Sequence, residues 1–472
     1  MFNGLDDFKD FIHSKHAAVI GVGISNRPLI KYIHSLGAIV TAFDMAGQDD
    51  PYIMETASEF KESGIDISWS LGKDYLSSLD GFEIIFKTPK MRIDTPELIT
   101  AGKTGAIITS EMELFFDCCP CRIIGITGSD GKTTTTTIIA EVLRKEGYNV
   151  HLGGNIGTPL ADRLDTISAE DIAVVELSSF QLHSMKKSPD IALITNITPN
   201  HLDVHKDLSE YIEAKKNIFL HQSSEGILVL NGSDPLSSKL YKEARGEVRF
   251  FPGREVSGKE DVIDLDAWYD GKKFYLRSGA SIDISDIRLS GRHNLNNYCS
   301  TACVLKGLVS DSSILDVMKT FAGVPHRNEY IRTLNGVEYY NSSIDSSPTR
   351  TIATLQGYID KGQRVVAISG GKDKNCDYTG LGETFLNACS AVILCGENAD
   401  LIKKSIKAAL NEHPDRSMEI FDAASYKQAI DIAVRQASSG EAVLLTPAGT
   451  SFDRFRNFEE RGILFKKLVN EL

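Results

Sequence analysis

Short apolar runs rich in Val and Ile recur along the chain and alternate with segments whose apolar positions return every three or four residues. That alternation predicts parallel strands covered by helices. Three segments each start such a series. HAAVIGVG is followed by the helical NRPLIKYIHSLG, with Pro28 near its start, and then by AIVTAFD, which ends at Asp44. CRIIGITG leads through DIAVVE and DIALIT, with a polar, strand-like insertion from about Asp261 to Leu289. GVEYYN leads through QRVVAISGG, SAVILCGE and EAVLLTPAG. The expected architecture is three α/β domains, residues 1–109, 110–323 and 324–472, with joints near Thr109 and Gly323.

Composition narrows what such a chain can bind. Its 472 residues exceed one comfortable core, so several domains are expected. The charge is 51 minus 64, or −13, which argues against a surface that tracks nucleic acid or an anionic membrane. No run of about eighteen uncharged apolar residues is present, and the N-terminus carries acids where a leader needs basic residues. A soluble cytoplasmic protein without membrane insertion is expected. The 8 cysteines are too sparse for a disulfide framework. Cys118, Cys119 and Cys121 are too cramped for a regular zinc site and read as reduced thiols in a linker. Cys299 and Cys303 are spaced as core-facing residues of one helix.

Any bound anion must therefore meet local donors. Gly128, Ser129, Asp130, Gly131, Lys132, Thr133 and Thr134 follow an apolar strand and open a helical pattern, the setting of a phosphate cradle. The glycines turn backbone N–H groups toward an anion, Lys132 reaches terminal phosphates and Thr133 ligates Mg²⁺. Two residues separate Gly128 from Gly131 where a standard Walker loop has four. Glu176 ends a strand as a metal-coordinating acid does, and Ser178 and Gln181 follow it. Alternation puts His201, Asp203 and His205 on one side of an extended segment, a plausible metal site or a surface cluster. Asp207 and Glu210 form an expected capping box for the helix that bears Lys215 and Lys216, ordinarily a solvated face. The imperfect fingerprint at Gly21, Gly23 and Asn26, with Asp44, reads as a nucleotide or phosphate site.

Taken together, TGSDGKTTTT, GGNIG, VELSSFQL, NITPNHLDVH, EAKKNIF, GRHNLNN, GVPHRNE, GGKDK and AGTSFDRFRNFEERG resemble the Mur ligase family in content and order over nearly the whole chain. ELSSFQL and NFEERG resemble the branch that adds D-glutamate. The resemblance implies a UDP-binding Rossmann-like domain, a central P-loop ATPase with a mainly parallel sheet, and a C-terminal Rossmann-like domain that closes over the others. It implies ATP, two Mg²⁺ ions, the substrates UDP-N-acetylmuramoyl-L-alanine and D-glutamate, and a monomer.

Carried over by motif, Lys132, Glu176, His201 and Lys215 would be catalytic. Thr133, Glu176 and His201 would bind Mg²⁺ together with a carbamate on Lys215, a carboxylate on a long arm. Asn294, His326, Arg327 and Ser342 would join the phosphate loop in holding ATP. Ile24, Ser25, Asp44, Asn155, Ser178, Gln181 and His205 would face the nucleotide-linked substrate. Ser346, Lys374, Ser451 and Phe458 would receive D-glutamate. The implied chemistry is phosphorylation of the alanyl carboxylate, followed by attack of the amino acid on the acyl phosphate. A relative using another amino acid, or a non-catalytic nucleotide-binding relative, are the alternatives.

Two departures from the family pattern stand out. Ser342 occupies the place of an Asp that contacts the ATP ribose, and alternation along the strand would turn Asp345 to the opposite face. Lys90 follows Pro89 where a Gly is usual.

Overall fold

Strong helix punctuation and buried strands divide the chain. The computed structural model describes residues 2–23, 25–199, 205–256, 264–289, 291–373 and 376–472. The predicted first series forms a five-stranded parallel sheet of β1 (His16–Ile20), β2 (Ile39–Asp44), β3 (Ser68–Leu71), β4 (Ile84–Phe86) and β5 (Ile107–Thr109), in the order β3-β2-β1-β4-β5. The second comprises β6 (Arg122–Thr127), β7 (Val150–Gly154), β8 (Ile172–Glu176), β9 (Ile191–Ile194), β10 (Ile227–Asn231) and β11 (Glu247–Phe251). Its order is β11-β10-β9-β6-β8-β7, every pair parallel. The chain passes from β8 across β6 to β9, so the carboxyl end of β6 lies at a reversal of strand order, where open parallel sheets bind ligands.

The strand-like insertion is an antiparallel sheet of β12 (Ala267–Tyr269), β13 (Lys273–Leu276) and β14 (Ser281–Asp283). One apolar cluster runs from Val19 of β1 through Phe115 and Leu164 to Val175 of β8. The first two sheets therefore share a core, and Met1–Phe321 forms one compact unit.

Ala322–Leu472 forms the other unit. It holds β15 (Glu329–Leu334), β16 (Val337–Asn341), β17 (Val365–Ser369), β18 (Cys389–Leu394), β19 (Glu419–Asp422) and β20 (Ala442–Leu445), in the order β15-β16-β20-β17-β18-β19. Only the β15–β16 pair is antiparallel. Alternate residues of β17 feed two cores, Val366 and Ile368 on one face and Val365 and Ala367 on the other. The fold is α/β throughout, as the sequence pattern predicts.

Local chemistry explains the helices that matter. Lys132–Glu146 buries Thr136, Ile139, Ala140 and Leu143, at helical spacing, and stops at Gly147 with φ of 109°. Asp207 caps Leu208–Lys216 by accepting from Glu210 N at 2.8 Å. The return half of the expected capping box differs, because Glu210 Oε2 accepts from Lys206 N at 2.7 Å instead. The expected solvated face is also wrong for this helix. Lys215 is 1% exposed because it packs inward onto the β6 end of the sheet, and Lys216 is buried in ion pairs with Glu213 and Glu243 at 2.9 and 2.6 Å.

Candidate active site

The loop after β6 is clamped rather than loose. Gly128 has φ of 148°, and a Cβ there would fall 1.9 Å from Thr195 Oγ1, so only glycine fits. Asn196, just past β9, takes the loop amides: its carbonyl accepts from Ser129 N at 2.9 Å and its side-chain oxygen from Asp130 N at 2.9 Å. Thr195 Oγ1 donates to Asp130 O at 2.6 Å, and Tyr211 OH lies 3.0 Å from Ser129 Oγ. The helix N-terminus beyond Gly131 leaves the amides of Lys132, Thr133 and Thr134 without intrahelical acceptors, the donors an anion would meet. Lys132 Nζ folds back to the carbonyls of Gly128 and Ser129, at 2.9 and 2.8 Å.

Two separated motifs meet beside it. Asn155 Nδ2 donates to Glu176 Oε1 at 2.9 Å, and Asn155 N donates to the Glu176 carbonyl at 2.8 Å. Glu176 is buried, and its Oε2 has no hydrogen-bond partner among the described residues. A buried, half-satisfied carboxylate is a costly arrangement that a cation would relieve.

Lys215 completes the group. Its Nζ donates to Gly128 O at 2.8 Å and to Thr127 Oγ1 at 3.2 Å, 4.7 Å from the Tyr211 ring centre. Burial, followed by the charge of Lys132, holds this amine well below the usual lysine range, against the opposing pull of Glu176 and Asp130. Burial thus favours the neutral form of this amine, the form that adds CO₂. Among the described residues no three His, Cys, Asp or Glu side chains are grouped to hold a metal. The residues that the motif resemblance assigns to Mg²⁺ are instead Thr133 at the helix entry, Glu176, and Lys215, whose carbamate would be a second anion, oxygen donors of the kind Mg²⁺ takes. His201 lies outside the described residues.

Other sequence candidates are positioned as follows. Ser178 and Gln181 form a reciprocal cap on the short helix Ser179–Leu182, with Ser178 Oγ donating to Gln181 Oε1 at 2.9 Å. His205 is buried, its Nε2 2.9 Å from Ser179 Oγ and its ring stacked on Phe180. Glu210 links this region to the first sheet through a bidentate bond from Arg92, at 2.8 and 3.0 Å. Asp44 braces the β1 loop, accepting from Val22 N and Ala46 N, both at 2.9 Å. Ser25 is half-buried at the entry of the helix Asn26–Ser35, and Ile24 lies outside the described residues. Asn294 is buried and bonded to Asn297, whose Oδ1 would be 2.8 Å from a Cβ on Gly131.

In the C-terminal unit, His326 is buried with φ of 63°, and burial lowers its pKa. Its Nδ1 is 2.9 Å from Asn341 Nδ2, and its ring meets Phe458 edge-on. Arg327 is exposed and Ser346 half-buried, whereas Ser451 is buried. Lys372 and Thr450 exchange backbone bonds of 2.8 and 2.9 Å, which joins the GGKDK loop to the AGTSF loop. Lys374 lies outside the described residues.

The expected orientation of Asp345 is wrong. β16 ends at Asn341 and the chain turns, with Asp345 N donating to Ser342 O at 2.9 Å. The Asp345 carboxyl hydrogen-bonds Ser342 and lies 3.0 Å from Thr446 Oγ1, and burial pushes it up to about 6. Arg461, to which the sequence reading gave no role, is fully buried and donates to Ser343 Oγ and O and to Gly449 O. Asn196, Asn297 and Tyr211 were missed similarly. Only the position of Asn196 just past a predicted strand could have flagged it.

A glycine-bounded phosphate loop at a strand-order reversal, with a strand-end carboxylate and a buried lysine, defines a nucleotide-dependent α/β enzyme of the P-loop type. Residues 126–305 match the Mur ligase middle domain, and residues 326–449 match the Mur ligase glutamate ligase domain. The UDP-N-acetylmuramoylalanine–D-glutamate ligase of Acetivibrio thermocellus is 45% identical over 99% of both chains. The protein of the same name from Ruminiclostridium cellulolyticum is 44% identical over 100% of both. The chain belongs to the Mur ligase family. Its fold also resembles the crystal structure of UDP-N-acetylmuramate-alanine ligase MurC from Thermotoga maritima, with a TM-score of 0.55, 17% identity and coverage of 97% and 99%. MurF ligase of the same organism, solved in complex with ADP, gives 0.52, 18%, 98% and 97%.

Proposed function

We propose that this protein is an ATP-dependent ligase that joins D-glutamate to UDP-N-acetylmuramoyl-L-alanine, forming ADP and phosphate in the synthesis of a peptidoglycan precursor. The observation that carries the reading is the convergence of Lys132, Lys215 and Glu176 on the carboxyl end of β6, in a chain similar along its full length to ligases of that name. No helix among the described residues is long and apolar enough to cross a membrane. The need for ATP and a nucleotide-linked substrate supports a cytoplasmic reading. Residues 1–109 are assigned to the UDP moiety, 110–323 to ATP, and 324–472 to the amino acid.

A carboxylate is a poor acyl donor because its leaving group would be oxide. The alanyl carboxylate therefore takes the γ-phosphoryl group of ATP, giving an acyl phosphate and ADP. Thr133, Glu176, His201 and a carbamate on Lys215 would hold Mg²⁺, which would supply charge neutralisation between the phosphates and the incoming anion. Lys132 leaves the loop carbonyls to bind the terminal phosphates, while the amides of the Lys132–Glu146 helix terminus hold the triphosphate. Asn155 fixes the Glu176 carboxylate through Oε1 and leaves Oε2 for the metal. Ser346, Lys374, Ser451 and Phe458 receive D-glutamate, whose amine attacks the acyl carbon and expels phosphate. Ser342 and Asp345 together supply the polar contact to the ribose that an Asp provides elsewhere in the family.

Phosphate release tests this directly, with ATP, UDP-N-acetylmuramoyl-L-alanine and D-glutamate each omitted in turn. Release requires all three. Replacing D-glutamate by L-lysine, meso-diaminopimelate or L-alanine abolishes it, and equal rates with one of these would assign the enzyme to another member of the family.

A further inference from the structure

The connector between the helix Glu111–Cys118 and β6 lies at the amino end of the central sheet, opposite the phosphate loop. It carries Cys119 and Cys121 on either side of an exposed Pro120. Their Sγ atoms are 3.4 Å apart, and both thiols are free. Cys119 is half-buried and reachable, whereas Cys121 is buried behind it. No other cysteine pair has this combination. Cys118 points to the carbonyl of Gly4, and Cys299 and Cys303 are fully enclosed on one helix. Neither Cys119 nor Pro120 belongs to a strand or helix, so the sulfurs can approach without breaking a ladder.

We propose that Cys119 and Cys121 form a dithiol site that reacts with low-molecular-weight disulfides and closes to an intrachain disulfide. Closure needs an approach of about 1.4 Å, from the observed 3.4 Å to a bond of about 2.0 Å. The hydrogen bond to Cys121, followed by burial, holds the Cys119 thiol above the usual range. Exchange therefore starts when Cys119 passes its proton along that bond to Cys121 and attacks one sulfur of the reagent, forming a mixed disulfide and releasing reagent thiolate, which takes the proton from Cys121. Cys121, as thiolate, then attacks Cys119 Sγ and expels the second. Two protein thiols are oxidised and one reagent disulfide is reduced to two thiols, with no other oxidant. Cys121 suits the resolving role: the hydrogen bond from Cys119, together with the backbone N–H of Ala173, holds it below the usual thiol range.

The folded chain is treated with oxidised glutathione, alkylated and mapped by fragmentation mass spectrometry, since Cys118, Cys119 and Cys121 share the tryptic peptide that ends at Arg122. The expected product is a Cys119–Cys121 disulfide that forms before the half-buried Cys376 reacts. Cys121→Ser halts at a mixed disulfide on Cys119, and Cys119→Ser lowers the reaction of Cys121 at least tenfold. Phenylarsine oxide, which condenses with two thiols and releases water, binds once per wild-type chain and protects both cysteines. This readout needs no variant. A persistent mixed disulfide at Cys119 in the wild type, or both cysteines still free after Cys376 is consumed, would overturn the proposal.

Discussion

Lys132 and Lys215 converge on one acceptor, the carbonyl oxygen of Gly128, at 2.9 and 2.8 Å. Two ammonium groups so close repel in a buried site, and burial together with the charge of Lys132 lowers the pKa of Lys215, favouring its neutral form. A neutral buried amine can capture CO₂ and turn a cationic residue into an anionic ligand. Lys215→Ala should lower turnover by at least about 10²-fold, comparable with losing one strong electrostatic contact to the transition state. Added short carboxylic acids should restore part of the rate by occupying the emptied space. Initial rates with and without acetate check this, and undiminished activity in Lys215→Ala would refute the carbamate.

Gly154 of the GGNIG turn packs against the strand end that bears Glu176. A Cβ there would lie 2.2 Å from the Glu176 carbonyl, at a φ of 95°. Gly154→Ala should therefore displace Glu176 and Asn155 together, with a loss of kcat of about 10²-fold and a stability cost of about 1–3 kcal/mol from strain. Urea denaturation and steady-state kinetics in the same variant separate the two effects.

Asp345 should make the C-terminal unit sensitive to mildly acidic pH. Burial raises its pKa from the ordinary 3.8 to about 6 in the folded state, so the folded chain binds the proton more tightly than the unfolded chain. Stability is fullest below the ordinary value and falls as pH rises from about 4 to about 6, by up to about 3 kcal/mol for a shift of this size. Asp345→Asn removes that slope. The difference in unfolding free energy between wild type and variant, followed by urea titration from pH 4 to 7, should change across this window, and a flat difference would contradict it.

The sequence was most informative where backbone chemistry is local. The glycine loop, the strand-end Glu176 and the alternation of β and helical patterns each follow from short windows. Arg461 and Asn196 were not legible in the same way, because their importance arises from partners more than 60 residues away, Ser343 and Asp130. Asp345 was misread for a different reason: period-two alternation was extended past Asn341, where the strand had already ended in a turn. Lys215 shows the opposite case. Its helix pattern suggested a solvent face, and only the motif resemblance pointed to a buried role.

Arg461 is buried with carbonyl and hydroxyl partners from two loops, at the carboxyl ends of β16 and β20. Arg461→Met keeps much of the volume but leaves Ser343 O and Gly449 O without this donor. The expected cost is about 2–5 kcal/mol from two unsatisfied acceptors. Thermal denaturation of the variant checks it, and an unchanged midpoint would show that the carbonyls find other donors.

The most direct measurement follows one oxygen atom. UDP-N-acetylmuramoyl-L-alanine labelled with ¹⁸O in its alanyl carboxylate is converted with ATP and D-glutamate, and the released phosphate is analysed by mass spectrometry. An acyl-phosphate route carries one carboxylate oxygen into the phosphate for every amide formed. Phosphate free of the label would contradict the account.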